Sequence, residues 1–225
     1  MHGEGEGSTP SLLRPAITPK RCSPMQALIE PAPRTRKPRG QGASRRGEIL
    51  AAATRIFLEE GTAHATMRRI AAAVGVSTTA LYVYFADKDA ILRAIAEATF
   101  AELLDALEAS QRSGSMPAER FRAGLRAYID FGLARSDAYR LTFCAPSPCD
   151  TIQAADHSFA ILQRGVEEMM EAGLFRPGLS EPAAEAVWAC LHGLTALLVD
   201  QAQHLSTPRD RLIDQVLDMT IAGLA

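Results

Sequence analysis

From Ser44 onward apolar residues recur at helical spacing, and no segment alternates apolar and polar residues as a half-buried strand does. Ile49, Ala52, Ala53, Ile56 and Phe57 share one helix face, and Gly61 is placed to end that helix as a left-handed C-cap. Thr66 can cap a second helix with Met67, Ile70, Ala71 and Val74 inward, stopping at Gly75. Ser77 can cap a short third helix over 78–85, and Asp87 a fourth over 87–110 with Ile91, Leu92 and Ile95 inward. Further helical periods cover 119–135, 139–144, 152–172, 181–203 and 209–223, with Gly114, Pro146, Pro148, Gly173, Pro177 and Pro208 at the joints. The predicted fold is all-α.

The first forty residues break this pattern. They hold seven of the thirteen prolines and no hydrophobic period, which predicts a disordered extension over 1–43. A three-helix unit follows over 44–95, and a larger helical domain over 96–225, with helix 87–110 linking the two.

Charge first misleads, then informs. Among 225 residues, 24 Lys+Arg stand against 26 Asp+Glu, a balance that on its own argues against a nucleic-acid binder. By segment the picture reverses: residues 1–46 carry nine Lys/Arg and three acids, 47–93 five of each, and 94–225 ten against eighteen. A basic leader therefore stands beside a neutral helical unit, and an acidic domain trails behind. Cys22, Cys144, Cys149 and Cys190 are too few and too scattered to build the fold, so a reducing cytoplasm is the expected compartment. The N-terminus lacks the basic-then-apolar order of a secretory signal. No uncharged apolar run reaches the roughly 20 residues of a membrane helix, the longest, 186–199, being expected as a buried helix, and no membrane partner is expected.

The joint Val74-Gly75-Val76-Ser77 between two short helices has the form of a helix-turn-helix, glycine allowing the tight turn and the valines packing the pair. The stretch from Gly61 through Thr66, Ile70-Ala71, Val74-Gly75-Val76-Ser77, Leu81-Tyr82, Tyr84-Phe85 and Asp87-Lys88 to Leu92 resembles the DNA-binding domain of the TetR/AcrR family, over about residues 46–98. The resemblance implies a homodimeric regulator that binds a double-stranded, palindromic DNA operator and is released by a small-molecule effector. Ser77, Thr78, Thr79 and Ala80, at the start of the reading helix, are then expected at base edges, the threonines offering a hydroxyl and a methyl suited to thymine. That helix has no Arg, Asn or Gln, so Arg68 on the preceding helix is the candidate for guanine, with Arg69 for phosphate. Thr66, Tyr82, Tyr84 and Lys88 resemble the family's backbone clamps. Tyr82 and Tyr84 cannot both be core beside Leu81 and Phe85, so at least one is exposed. Arg34, Arg36, Lys37, Arg39, Arg45 and Arg46, expected just before the first helix, form a candidate arm for the adjacent groove or phosphates.

In the larger domain Trp188 and His192 lie four apart on one helix, with Gly193 expected to allow close approach of a neighbour. Trp188-x-x-x-His192-Gly193, with Asp137-Ala-Tyr139-Arg140-Leu141 and Phe143, resembles the TetR-like C-terminal domain of the Trp-His-Gly type, over roughly 117–224. An apolar ligand pocket is expected from Phe100, Tyr128, Phe131, Phe143, Phe159, Met169, Trp188 and His192. Leu191, Leu194, Leu198, Leu212, Val216 and Met219 exceed what one small core needs and predict a four-helix dimer interface.

Catalysis finds no support in the motifs: there is no phosphate-binding glycine loop, no recognisable Ser/His/Asp context and no metal-binding helix motif. Cys144, Cys149 and His157 match no zinc spacing. No enzyme, cofactor or metal is expected. A repressor is the family default, with an activator, or a redox-responsive regulator using Cys144 and Cys149, as the alternatives.

Overall fold

A computed structural model describes residues 42–112, 114–144 and 153–225. Most of the expected extension and arm, and Cys149 of the expected thiol pair, lie outside these residues, as does the side chain of Cys144. Among the described residues there are nine α-helices and no strand: α1 Gly42–Glu60, α2 Met67–Ala73, α3 Thr78–Tyr82, α4 Lys88–Ser110, α5 Pro117–Ala134, α6 Ser136–Tyr139, α7 Gln153–Glu171, α8 Ser180–Asp200 and α9 Arg209–Leu224. The all-α fold read from periodicity is the observed one.

Local chemistry explains the small helices. The side chains of Thr66, Ser77 and Asp87 accept hydrogen bonds from the backbone N–H of Arg69, Ala80 and Ala90, at 3.2, 3.1 and 2.7 Å. Gly61 and Gly75 sit at φ of +80° and +68°, where only a residue without Cβ is unstrained, and they end α1 and α2. Pro117 opens α5 because its missing N–H is not needed there, while Glu119 accepts from the N–H of Ser115 and Met116.

Three boundaries differ from the periodicity. The helix α1 begins at Gly42, so Arg45 and Arg46 lie inside it and not before it. Its apolar face begins only at Ile49, which is why the extra turns were hidden. The helix α3 stops at Tyr82, because Phe85 is pulled into the core and Asp87 must start α4. The segment 139–144 is split between α6 and a π-helical turn, Arg140–Cys144. A 3-10 turn, Ala202–His204, likewise takes over where α8 ends at Asp200.

Two apolar cores result. The smaller gathers Ile49, Ile56, Phe57, Ile70, Leu81, Phe85, Ile91 and Ile95 from α1 to α4. The larger is built from α4, α5, α7, α8 and α9. The helix α4 serves both, with Ile91, Leu92 and Ile95 in the first and Leu103 and Leu107 in the second, along about 35 Å of rigid helix. A second connection was not foreseen. Leu141, in the π-helical turn, is buried in the smaller core, whereas Tyr139 and Phe143 on either side of it pack into the larger one.

Within the protomer no helix approaches Gly193: a Cβ there would meet nothing within 4 Å. The close crossing of α5 and α8 is at Gly132, whose added Cβ would lie 2.3 Å from Thr195 Cγ2. Nor is α8 simply buried. Leu191, Leu194 and Leu198, expected at a dimer interface, are instead buried with Val187 in the protomer's own core, because helix phase turns them inward, while Ala186, Ala189, Cys190, Gly193 and Leu197 are open on the other side.

Candidate nucleic-acid interface and apolar cavity

The chain from Thr66 to Lys88 presents the residues expected to meet DNA on the starts of three helices and one turn. Thr66 and Ser77 are exposed caps, Thr79 is exposed, and Thr78 and Ala80 are half-buried, with Ala80 N–H held by Ser77. Tyr82 and Tyr84 are both exposed, at 51% and 39%, because the turn after α3 carries Leu81 and Phe85 inward and leaves the tyrosines outside. Val83 between them is 81% exposed. It was missed because a valine next to Tyr82 reads as core, and only the early end of α3 turns it outward.

The basic side chains divide into held and open. Arg68 is exposed and has no carboxylate partner among the described residues. Arg69 is tied to Glu60 at 2.8 Å, which occupies part of the charge expected for phosphate. Lys88 donates to the carbonyl of Thr62, leaving two of its three ammonium donors. Arg45 bridges Glu48 at 2.6 Å and reaches the carbonyl of Val74 at 3.4 Å, and the Arg46 guanidinium lies 4.9 Å over the Phe85 ring. Both therefore brace the first helix against the helix-turn-helix.

The larger core encloses a cavity of about 370 Å³, within the range of ligand sites. It lies among α4, α5, α7 and α8. Of the eight expected lining residues, Phe100, Tyr128, Phe143, Phe159 and Trp188 surround it, and Phe131, Met169 and His192 do not. Phe131 is one turn beyond Tyr128 on α5, and Met169 directly follows the lining residue Glu168 on α7 but is buried in the core, so neither borders the space. His192 turns away toward the tyrosines: its Nδ1 is 2.7 Å from the Tyr139 hydroxyl and 3.5 Å from that of Tyr128. Its ring still stacks at 5.8 Å from Trp188, as their spacing predicted. Burial holds the His192 imidazole below its ordinary value of 6.5.

Phe121, Gln111, Arg120 and Glu168 line the cavity unforeseen. Two glycines inside helices were the available signal, since Gly124 and Gly165 interrupt otherwise bulky faces and open the space that Phe121 and Gln111 border. His157 is exposed, and no group of three or more metal-ligating side chains occurs among the described residues.

Comparison with known proteins agrees with this division into two parts. The family described as bacterial regulatory proteins, tetR family, matches residues 49–95, and the tetracyclin repressor-like C-terminal domain matches 121–220, where the Trp-His-Gly resemblance spans roughly 117–224. The chain is 33% identical over 99 residues to the HTH-type transcriptional activator FasR of Mycolicibacterium smegmatis, covering 44% of this chain and 45% of that protein. It is 46% identical over 54 residues to an HTH-type transcriptional repressor of Mycobacterium tuberculosis, covering 24% and 29%. In both cases less than half of the curated relative is spanned. A solved bacterial regulatory protein of the tetR family from Rhodococcus RHA1 superposes with a TM-score of 0.66 at 25% identity, over 78% of this chain and 96% of that one.

Proposed function

The chain belongs to the TetR family of DNA-binding transcriptional regulators, which are not enzymes, and on that premise we propose that it is a homodimeric repressor released from its operator by a small lipophilic ligand. One observation carries the ligand-responsive part. Phe143 borders the cavity and Leu141, two residues earlier in the same π-helical turn, belongs to the core that holds the reading helix. A ligand that shifts Phe143 thereby acts on the packing of the DNA-binding unit. Release then follows from unequal ligand affinity for the DNA-competent and DNA-incompetent arrangements.

DNA contact is assigned to Thr66, Arg68, Ser77, Thr78, Thr79, Ala80, Tyr82, Tyr84 and Lys88, with Arg69 contributing only as far as Glu60 releases it. Val83 joins them as an apolar contact suited to a thymine methyl. Dimerisation is supported by the open apolar side of α8 and by Met219 on α9, 65% exposed. Two copies joined there would set their reading helices for successive major grooves, about 34–36 Å apart. The action is on DNA in the cytoplasm.

A gel shift with the DNA upstream of the protein's own gene tests the regulator, and repeating it while titrating lipophilic compounds tests release. DNA that shifts but is never released, by any compound that binds the cavity, would leave the helix-turn-helix assignment standing and remove the repressor mechanism. Activation is the second reading, favoured by the likeness to FasR, itself named an activator. A reporter in a strain lacking the gene separates the two, since expression rises on deletion of a repressor and falls on deletion of an activator.

A further inference from the structure

The cavity has two unlike ends. Phe100, Tyr128, Phe143 and Phe159 close one, where the Phe100 and Phe143 rings meet at 5.0 Å. Gln111, Arg120 and Glu168 form the other, about 16 Å away along α4 from Phe100 to Gln111. The space is therefore elongated, with a floor that is mainly apolar, Tyr128, Asp156 and Ser158 being its polar side chains, and a charged rim. Beyond that rim lies a second hollow that shares Gln111, Arg120 and Glu168 with the cavity and adds the exposed side chains of Glu108, Arg112, His157 and Arg164.

The charge at this mouth is unusual for the domain. Residues 94–225 hold ten arginines or lysines against eighteen acids, yet Arg112, Arg120 and Arg164 converge here. Elsewhere in the domain Arg122, Arg126, Arg135, Arg140 and Arg209 are each ion-paired, while Arg176 and Arg211 stand singly and do not converge with another arginine on a hollow. At the mouth Arg120 is paired with Glu168 at 2.9 Å, so those two cancel. Arg112 and Arg164 have no carboxylate partner among the described residues, and only Glu108 opposes them. An uncompensated positive charge thus sits at the outer end of an apolar slot.

We propose that the effector is an amphipath, an apolar chain ending in an anionic carboxylate or phosphate head, with the chain in the cavity and the head between Arg112 and Arg164. This rests on the cavity being the effector site. The apolar chain is recognised by exclusion of water along the aromatic floor, and the head by two guanidiniums whose planar donor forks suit both anions.

Trp188, the sole tryptophan, borders the cavity and supplies the readout on the full-length protein. The probes are dodecanoate, dodecyl phosphate, dodecanol and dodecyltrimethylammonium, each below its micellar concentration. Both anions are expected to change Trp188 fluorescence at concentrations about ten-fold below dodecanol, with the cation weakest. The order of the two anions identifies the better head. In the double variant Arg112→Gln, Arg164→Gln, whose altered side chains are on the surface, the anions should fall to the affinity of dodecanol while dodecanol itself is unchanged. Equal binding of dodecanol and dodecanoate by the parent protein, or an anion preference that survives in the double variant, overturns the proposal and leaves the apolar site intact. Silence to all four, with no rise in melting temperature, overturns the site and the proposal together. A gel shift run alongside reports separately on DNA binding.

Discussion

Thr66 and Ser77 each close the first turn of a helix of seven residues or fewer, too short to hold itself, and both lie on the expected DNA face, while Asp87 does the same for the long α4. A cap hydroxyl that accepts from a backbone N–H keeps its own proton free to donate to phosphate. Thr66→Ala is expected to lower stability by about 1 kcal/mol in urea denaturation and to weaken operator binding beyond that, whereas Thr66→Ser should preserve the first and most of the second. Equal loss of DNA affinity in both variants would remove the hydroxyl from the contact. His192 offers a different test. Burial lowers its folded-state value, so below the ordinary 6.5 the unfolded chain binds a proton that the folded chain resists. Stability should therefore decline as pH falls from 7 through that region, and His192→Gln should lessen the decline. Melting temperatures of the two proteins between pH 5 and 8 check it.

At the scale of elements, caps and inward stripes were legible because each is a local pattern: Gly61, Gly75 and the three capping residues act within one turn. The tight glycine was not, because closeness depends on what lies across from it, and only the fold shows that within the protomer it is Gly132. Gly132→Ala is expected to cost about 1–3 kcal/mol by forcing α5 away from Thr195, while Gly193→Ala should leave the isolated protomer almost unchanged. Denaturant midpoints of the pair decide between those glycines. The π-helical turn was equally hidden. Its residues Leu141 and Phe143 look like one apolar stripe, and nothing local says that they serve separate cores. Likewise the aromatic floor could be named from composition, whereas Phe131 lies a turn past the lining residue Tyr128 and Met169 is out of helix phase with the lining residues Gly165 and Glu168.

For the whole molecule, the open side of α8 and Met219 on α9 are the surface on which the proposed dimer rests. Leu197→Glu combined with Met219→Glu is expected to shift sedimentation from dimer to monomer and to reduce operator affinity at least ten-fold, since one reading helix then binds alone. An unchanged dimer would move the interface elsewhere. The segmental charge makes a further prediction. Deleting residues 1–41, which spares α1 from its first residue, removes seven of the nine basic residues that precede Gly47 and should flatten the dependence of DNA affinity on salt. A slope unchanged between 50 and 200 mM salt, on the order expected for phosphate contacts, would exclude the arm from binding.

The two ends of the cavity touch different machinery: Arg112 and Arg164 guard the outer end, and Phe143, joined to Leu141, closes the inner one. On the proposed function, choice of compound and transmission to DNA fall to residues that do not meet. On that reading, substitutions at the mouth alter which compound is detected without disturbing how occupancy is transmitted, and the two properties can be changed one at a time.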